Sequence, residues 1–265
     1  MNVNESPFST SAMSGMRALV CGASKGIGKS TAEAFAAAGA EVILCSRDEE
    51  ALNGLKDSLP GDGHSVIALD LENTMEVQNS ISRILEDGPI HVLVNNSAGP
   101  PGGPLLNTEV AEFEAPFKRH LHAAHTLTKA LVPGMVEAGI GRIVNIISTS
   151  VREPIPNIGL SNTLRGAMAS WSKSLARELP ECITINNILP GFTDTDRLSS
   201  LANSINQKTG RPVEDIHSTW LNEVPIGRLI QPTETANAIL FLCLPSSGGI
   251  RGISLAVDGG RMRSI

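Results

Sequence analysis

Tyrosine is absent from all 265 residues, so no chemistry in this chain can draw on a phenol. Other aromatics are sparse, with six Phe and two Trp. Basic residues number 21 against 27 acidic ones, a net charge of −6. There is no basic tail and no long run of like charge, which excludes a protein built mainly to grip nucleic-acid phosphates. No apolar stretch approaches the roughly 20 residues needed to cross a bilayer, so no membrane partner is expected. Cys21, Cys45, Cys182 and Cys243 lie far apart in apolar runs, without metal-ligand spacing. They read as buried thiols in a reduced, cytoplasmic setting, and no metal site is expected. Residues 1–15 are polar, with no basic end leading into an apolar block, and read as a frayed tail and not a signal peptide.

Hydrophobic residues make up 41% of the chain, enough for a real core. Short apolar runs read as strands over 17–21, 41–45, 65–69, 90–94, 142–147, 183–189 and 253–257. Helical spacing fills most of the gaps, as in Ile27, Thr31, Ala34, Phe35 and Ala38. One long helical stretch is expected to run to about Ala138, with Pro116 starting or kinking it and a stripe through Phe113, Phe117, Leu121, Ala124, Leu131 and Met135. The alternation predicts an α/β fold of one domain over 16–265: a doubly wound, Rossmann-type parallel sheet of about seven strands flanked by helices. The segment 192–228 is polar and irregular by comparison and carries Trp220. It is either a lid over the cleft or a subunit-contact insert.

Ligands of such sheets sit beyond the carboxyl ends of the strands. After the first strand comes Gly22-Ala23-Ser24-Lys25-Gly26-Ile27-Gly28. Glycines there let backbone N–H groups approach a pyrophosphate, and the next helix presents its positive end to the same anion. After the second strand stand Ser46 and Arg47, with Asp48 following. Arginine attracts a ribose 2′-phosphate where a carboxylate would repel it, and Lys25 adds a second cation, so NADP(H) is favoured over NAD(H). The alternative is that Lys25 and Arg47 are ordinary solvated charges.

These features, with Asp70-Leu71 after the third strand, Asn95-Asn96-Ser97-Ala98-Gly99, Arg142-Ile143-Val144-Asn145-Ile146, Pro190-Gly191 and Val257-Asp258-Gly259-Gly260, resemble the short-chain dehydrogenase/reductase family. Within it the chain is most similar to 3-oxoacyl-acyl-carrier-protein reductases. The resemblance covers about residues 16–263. It implies a reductase of a small-molecule carbonyl substrate, assembled as a dimer or tetramer. It also implies that Asp70 and Leu71 lie near adenine, that Asn96, Ser97 and Ala98 line the dinucleotide, and that Pro190, Gly191 and Thr193 hold the nicotinamide amide. The Asn95–Gly99 motif has one residue more than the family's N-N-A-G.

The family's catalytic pattern is a Ser, a Tyr thirteen residues on, a Lys four further, and an Asn on the preceding helix. Ser148 matches the serine. Ser161 stands where Tyr is expected, Arg165 where Lys is expected, and His120 at the Asn position. Ser161 and Arg165, four apart, share one side of a helix. Arginine can hold a ribose hydroxyl or stabilise an oxyanion but cannot give up a proton near neutrality. Arg165 is therefore a cofactor ligand or else a solvated charge. His120 lies on the apolar stripe and is either a core histidine met by backbone and hydroxyl groups or a substitute proton relay. His122 and His125 fall off that stripe and read as surface residues. Ser148 polarises a carbonyl or is merely a strand-end hydroxyl. Three functions remain open at this point: an NADP(H)-dependent carbonyl/alcohol oxidoreductase with an unusual proton route, a cofactor-binding protein with little turnover, and a non-redox lyase reusing the cleft.

Overall fold

The computed structural model describes residues 8–264. Seven strands form one parallel sheet: β1 Arg17–Cys21, β2 Glu41–Ser46, β3 Ser65–Ala68, β4 Val92–Asn95, β5 Gly141–Ile146, β6 Ile183–Pro190 and β7 Ser254–Val257. Their order is β3-β2-β1-β4-β5-β6-β7, as anticipated for a Rossmann-type sheet. The order reverses between β1 and β4, which opens a crevice at their carboxyl ends. Alternation along β1 sends Ala18 and Val20 to one apolar layer and Leu19 and Cys21 to the other. The first layer packs under α1 (Gly26–Ala37) and α9 (Pro232–Cys243). The second packs under α3 (Thr74–Leu85) and α5 (Ala123–Glu137). Both faces of the sheet are covered, so strands with no polar alternation are stable there. Between β2 and β3 lies α2 (Glu49–Ser58), and α6 (Gly159–Glu178) joins β5 to β6.

Four sequence expectations need correction. Residues 8–15 are not frayed: Met13 is fully buried against the first layer and its N–H bonds Ala38 O at 2.8 Å. An apolar side chain with a vacant slot beside α1 is enough to dock the segment; residues 1–7 lie outside the described residues. The segment 192–228 is not irregular. It holds α7 (Asp196–Thr209) and α8 (Val213–Asn222), whose Ala202, Ile216 and Trp220 form a small core of their own. Trp220 stacks on Phe192 at 5.3 Å between ring centroids. Its polar residues lie on the outer faces of these helices, which hid the periodicity. The long stretch to Ala138 is broken: α4 (Glu114–Phe117) passes through a π-turn over Lys118–His122 before α5 begins. Pro116 sits in the first turn of α4, where a missing N–H costs nothing. Lastly, Cys182 is only half-buried, while the other three cysteines are buried.

A ladder of amides crosses the sheet near the crevice. Asn95 Nδ2 donates to Asn145 Oδ1 at 2.8 Å, Asn145 Nδ2 to Asn187 Oδ1 at 3.0 Å, and Asn187 Nδ2 to the Ser254 hydroxyl at 3.1 Å. Each pair is in register on neighbouring strands β4 to β7. A one-residue slip would bury these amides unpaired, so the ladder fixes the register where the loops leave the sheet. Asn145→Ala orphans a donor on Asn95 and an acceptor on Asn187. Urea unfolding should show a loss of about 2–4 kcal/mol, and Asn95→Ala added to it should cost less than alone. A loss below about 1 kcal/mol would show that the ladder does not hold the strands.

Candidate active site

The crevice is floored by the turn between β1 and α1. Gly22 and Gly26 have φ of +63° and +57°, left-handed values that favour glycine. Gly28 is required for a different reason: a Cβ there would lie 2.1 Å from Gly22 O and 2.7 Å from Asn96 Nδ2. Asn96 itself donates to Gly22 O at 3.3 Å, tying the loop after β4 to the loop after β1. Asp48 caps α2 by accepting from Ala51 N–H, and Asn73 caps α3 by accepting from Glu76 N–H. The N-terminus of α1 has no side-chain cap and no acidic residue in its first turn. Its amides and positive dipole end are left for an anion. Ser24 and Ile27 lie in this turn, half-buried. Lys25 and Arg47 are exposed, and among the described residues neither has an ion-pair partner. The Ser46 hydroxyl accepts from Asp48 N–H at 3.2 Å. Because Asp48 is turned to capping α2, Arg47 is the charge left at the tip of β2.

Deeper in the crevice, His120 and Arg165 meet. The π-turn and the start of α6 both aim at the end of β5, and Arg165 donates to Ile146 O at 3.0 Å. His120 Nε2 lies 3.0 Å from Ala98 O, which can only accept, so that nitrogen carries the proton. Nδ1 is then the acceptor, receiving the Ser97 hydroxyl at 2.7 Å and Arg165 at 3.3 Å. Both ring nitrogens are thereby committed in the neutral form. Burial, with the Arg165 cation next, holds the His120 pKa well below 6.5. Arg165 is buried with no carboxylate bonded to it among the described residues. Burial and the nearby Arg197 push its pKa down to about 10, so it stays charged at neutral pH. Arg119, also near His120, is paired with Glu72.

The structure does not bring the two serines into this cluster. The Ser148 hydroxyl accepts from Ser150 N–H at 3.1 Å. Ser161 is half-buried on α6 and makes no side-chain hydrogen bond among the described residues. His122 and His125 are exposed. Asp70 accepts from Glu72 N–H at 3.0 Å at the end of β3, and Leu71 borders the same internal gap as Ser97, His120 and Arg165. Pro190 ends β6; Gly191 is obligatory, since a Cβ would lie 2.7 Å from Asp258 Cα. The buried Thr193 donates to Gly191 O at 3.2 Å. The sequence reading missed Arg197 on α7 and Asn187 of the amide ladder, and took Asn95 only as part of the Asn95–Gly99 motif. A signal existed for the amides: Asn145 and Asn187 stand two residues before the end of their apolar runs, and Asn95 directly follows its own.

The neutral His120 has a measurable consequence. Its folded pKa lies below its unfolded one, so the unfolded chain binds the extra proton. The stabilisation is complete above pH 6.5 and is lost as pH falls below that value. Relative to His120→Asn, the wild type should lose up to about 1.4 kcal/mol per pH unit on acidification, read as a difference in slope of unfolding free energy against pH. Equal slopes would mean that His120 titrates as it would in water.

Comparison with known proteins places this geometry. The family model described as enoyl-(acyl carrier protein) reductase matches residues 22–261. The 3-oxoacyl-acyl-carrier-protein reductase of Vibrio cholerae is 33% identical over 252 residues, spanning 94% of this chain and 98% of that protein. The solved NADPH-dependent reductase involved in bacilysin biosynthesis is 26% identical with a TM-score of 0.89, over 94% of this chain and 99% of that one. L-Sorbose reductase from Gluconobacter frateurii, complexed with NADPH and L-sorbose, is 28% identical with a TM-score of 0.88, over 97% and 100%. With the uncapped α1, the glycine-only crossing of Gly28 and the seven-strand order, these matches establish that the chain belongs to the short-chain dehydrogenase/reductase family.

Proposed function

We propose that this protein is an NADP(H)-dependent oxidoreductase that interconverts a carbonyl and an alcohol without a phenolic acid. The observation that supports it most is the N-terminus of α1, glycine-lined, without a side-chain cap and flanked by Lys25 and Arg47, which have no ion-pair partner among the described residues. That set suits a pyrophosphate and a ribose 2′-phosphate. The named relatives are reductases, and two of the solved neighbours are described with NADPH. A 3-oxoacyl compound is the finer form of the substrate, supported by the Vibrio cholerae relative.

When bound, the dinucleotide supplies or takes the hydride. The chain does the rest. Asp70 and Leu71 would hold the dinucleotide at its adenine end, the Asn96–Ala98 segment would line it, and Pro190, Gly191 and Thr193 would hold the nicotinamide amide. Ser148, whose oxygen is already used as an acceptor, keeps its hydrogen free to donate to the carbonyl oxygen. Ser161 offers a second hydroxyl one turn before Arg165. Arg165 adds a permanent positive charge that stabilises negative charge developing on that oxygen. It gives up no proton, so the proton reaches the oxygen from water through the hydroxyls. His120, neutral and saturated, is a positioning residue for Arg165 and not an acid. The α7–α8 hairpin covers the cleft in this scheme, and the protein works as a homo-oligomer.

A second form, a dinucleotide-binding protein with little or no turnover, is favoured by one observation: nothing bonded to Ser161 would activate its hydroxyl. Fluorescence titration and steady-state NADPH consumption over a panel of ketones and oxoacyl thioesters separate the two. NADPH should bind at least about tenfold more tightly than NADH, and Arg47→Ala should erase that difference. Turnover should fall about 10²-fold in Ser148→Ala. Tight NADPH binding with no consumption on any compound would favour the second form. Failure of NADPH to bind would overturn both.

A further inference from the structure

Two guanidinium groups converge beside the loop after β4. The terminal nitrogens of Arg165 and Arg197 lie 3.6 and 3.8 Å from one point, the position that a Cβ would take on Gly99. Arg165 reaches it from α6 and Arg197 from the first turn of α7. Arg197 donates one bond to Pro100 O at 2.9 Å. Arg165 uses Nη1 on Ile146 O and His120, leaving Nε and Nη2 without a partner among the described residues. No carboxylate pairs with either among the described residues. The nearby Arg119, by contrast, is neutralised by Glu72. Two like charges at such range repel, most strongly where one is buried, and ordinarily a protein separates them or sets an acid between them. Here the Nη2 atoms of both lie beside Gly99, that of Arg165 without a partner among the described residues and that of Arg197 also holding Pro100 O. Beside Gly99 there is room for one carbon in ordinary contact with both nitrogens.

We infer that Arg165 and Arg197 together form a receptor for an anionic group of the substrate, so that the preferred carbonyl compounds are oxo acids. Two planar forks on one carboxylate give short, charge-assisted hydrogen bonds and fix the direction in which the acid enters. This deepens the proposed oxidoreductase activity and rests on it for the identity of the reacting group. An anion could also come from the dinucleotide's own phosphates, and the test distinguishes the two.

Straight-chain 2- and 3-oxo acids and their neutral methyl esters are titrated calorimetrically into the full-length protein at fixed ionic strength, with and without saturating NADPH. At least one acid should bind about tenfold to a hundredfold more tightly than its ester. Arg197→Gln, an exposed position, should remove that preference while leaving ester and NADPH affinity unchanged. Arg165→Gln should remove it too, and Arg165→Lys should restore part of it. If no acid outbinds its ester, or if the preference survives in both glutamine variants, the inference is overturned. If instead Arg197→Gln weakens NADPH binding and leaves the acid preference alone, the anion is the cofactor's and the substrate receptor is overturned. Titration of the wild type with NADPH alone tests the underlying oxidoreductase proposal separately.

Discussion

A guanidinium buried without a carboxylate sets the terms for this crevice. Isolated charge is costly to bury unless hydrogen bonds replace the lost water. Arg165 is met on one side by the Ile146 carbonyl and by a histidine that must be neutral to accept from it. His120 in turn stays neutral because its Nε2 proton is taken by Ala98 O and its Nδ1 also receives the Ser97 hydroxyl. A protonated His120 would lose both acceptor contacts and face a cation. Ser97, His120 and Arg165 are thus one hydrogen-bonded unit. Changing His120 removes the partner of the Ser97 hydroxyl and one of the two acceptors that meet Arg165 Nη1.

This unit is placed by the sheet. The amide ladder from Asn95 to Ser254 fixes the register of β4 to β7 just where their loops depart. Ile146, which receives Arg165, is the next residue after Asn145 in that ladder. On the other side of the switch point, Gly28 lets Asn96 close against Gly22, so the turn after β1 and the loop after β4 are tied together. The α1 amides are left uncapped beside them, at the expense of local helix stability, as an anion site demands.

Much of this was legible in the sequence. Apolar runs alternating with helical spacing gave the α/β architecture, and glycine spacing after the first strand pointed to the turn that leaves α1 without a side-chain cap. The inward side of His120 followed from its place on the stripe with Ala124, and its bland partners were among the alternatives. The tautomer was not legible, because it depends on Ala98 O and Ser97 approaching from a loop over twenty positions away. Nor was the α7–α8 hairpin: its core is a few residues, Ala202, Ile216 and Trp220, diluted among polar ones. The docking of Met13 escaped for a similar reason, since one buried side chain leaves no periodic trace. Arg197 looked like any exposed helix charge until the structure set it beside Arg165.

Hydride transfer by a protein with no phenol is the central claim. The direct measurement is incubation with NADPH deuterated on its transferable position, with mass spectrometry of the alcohol product. On this account one deuterium appears at the carbinol carbon. Bound NADPH with no deuterium in any product, across oxo acids, ketones and thioesters alike, would contradict it.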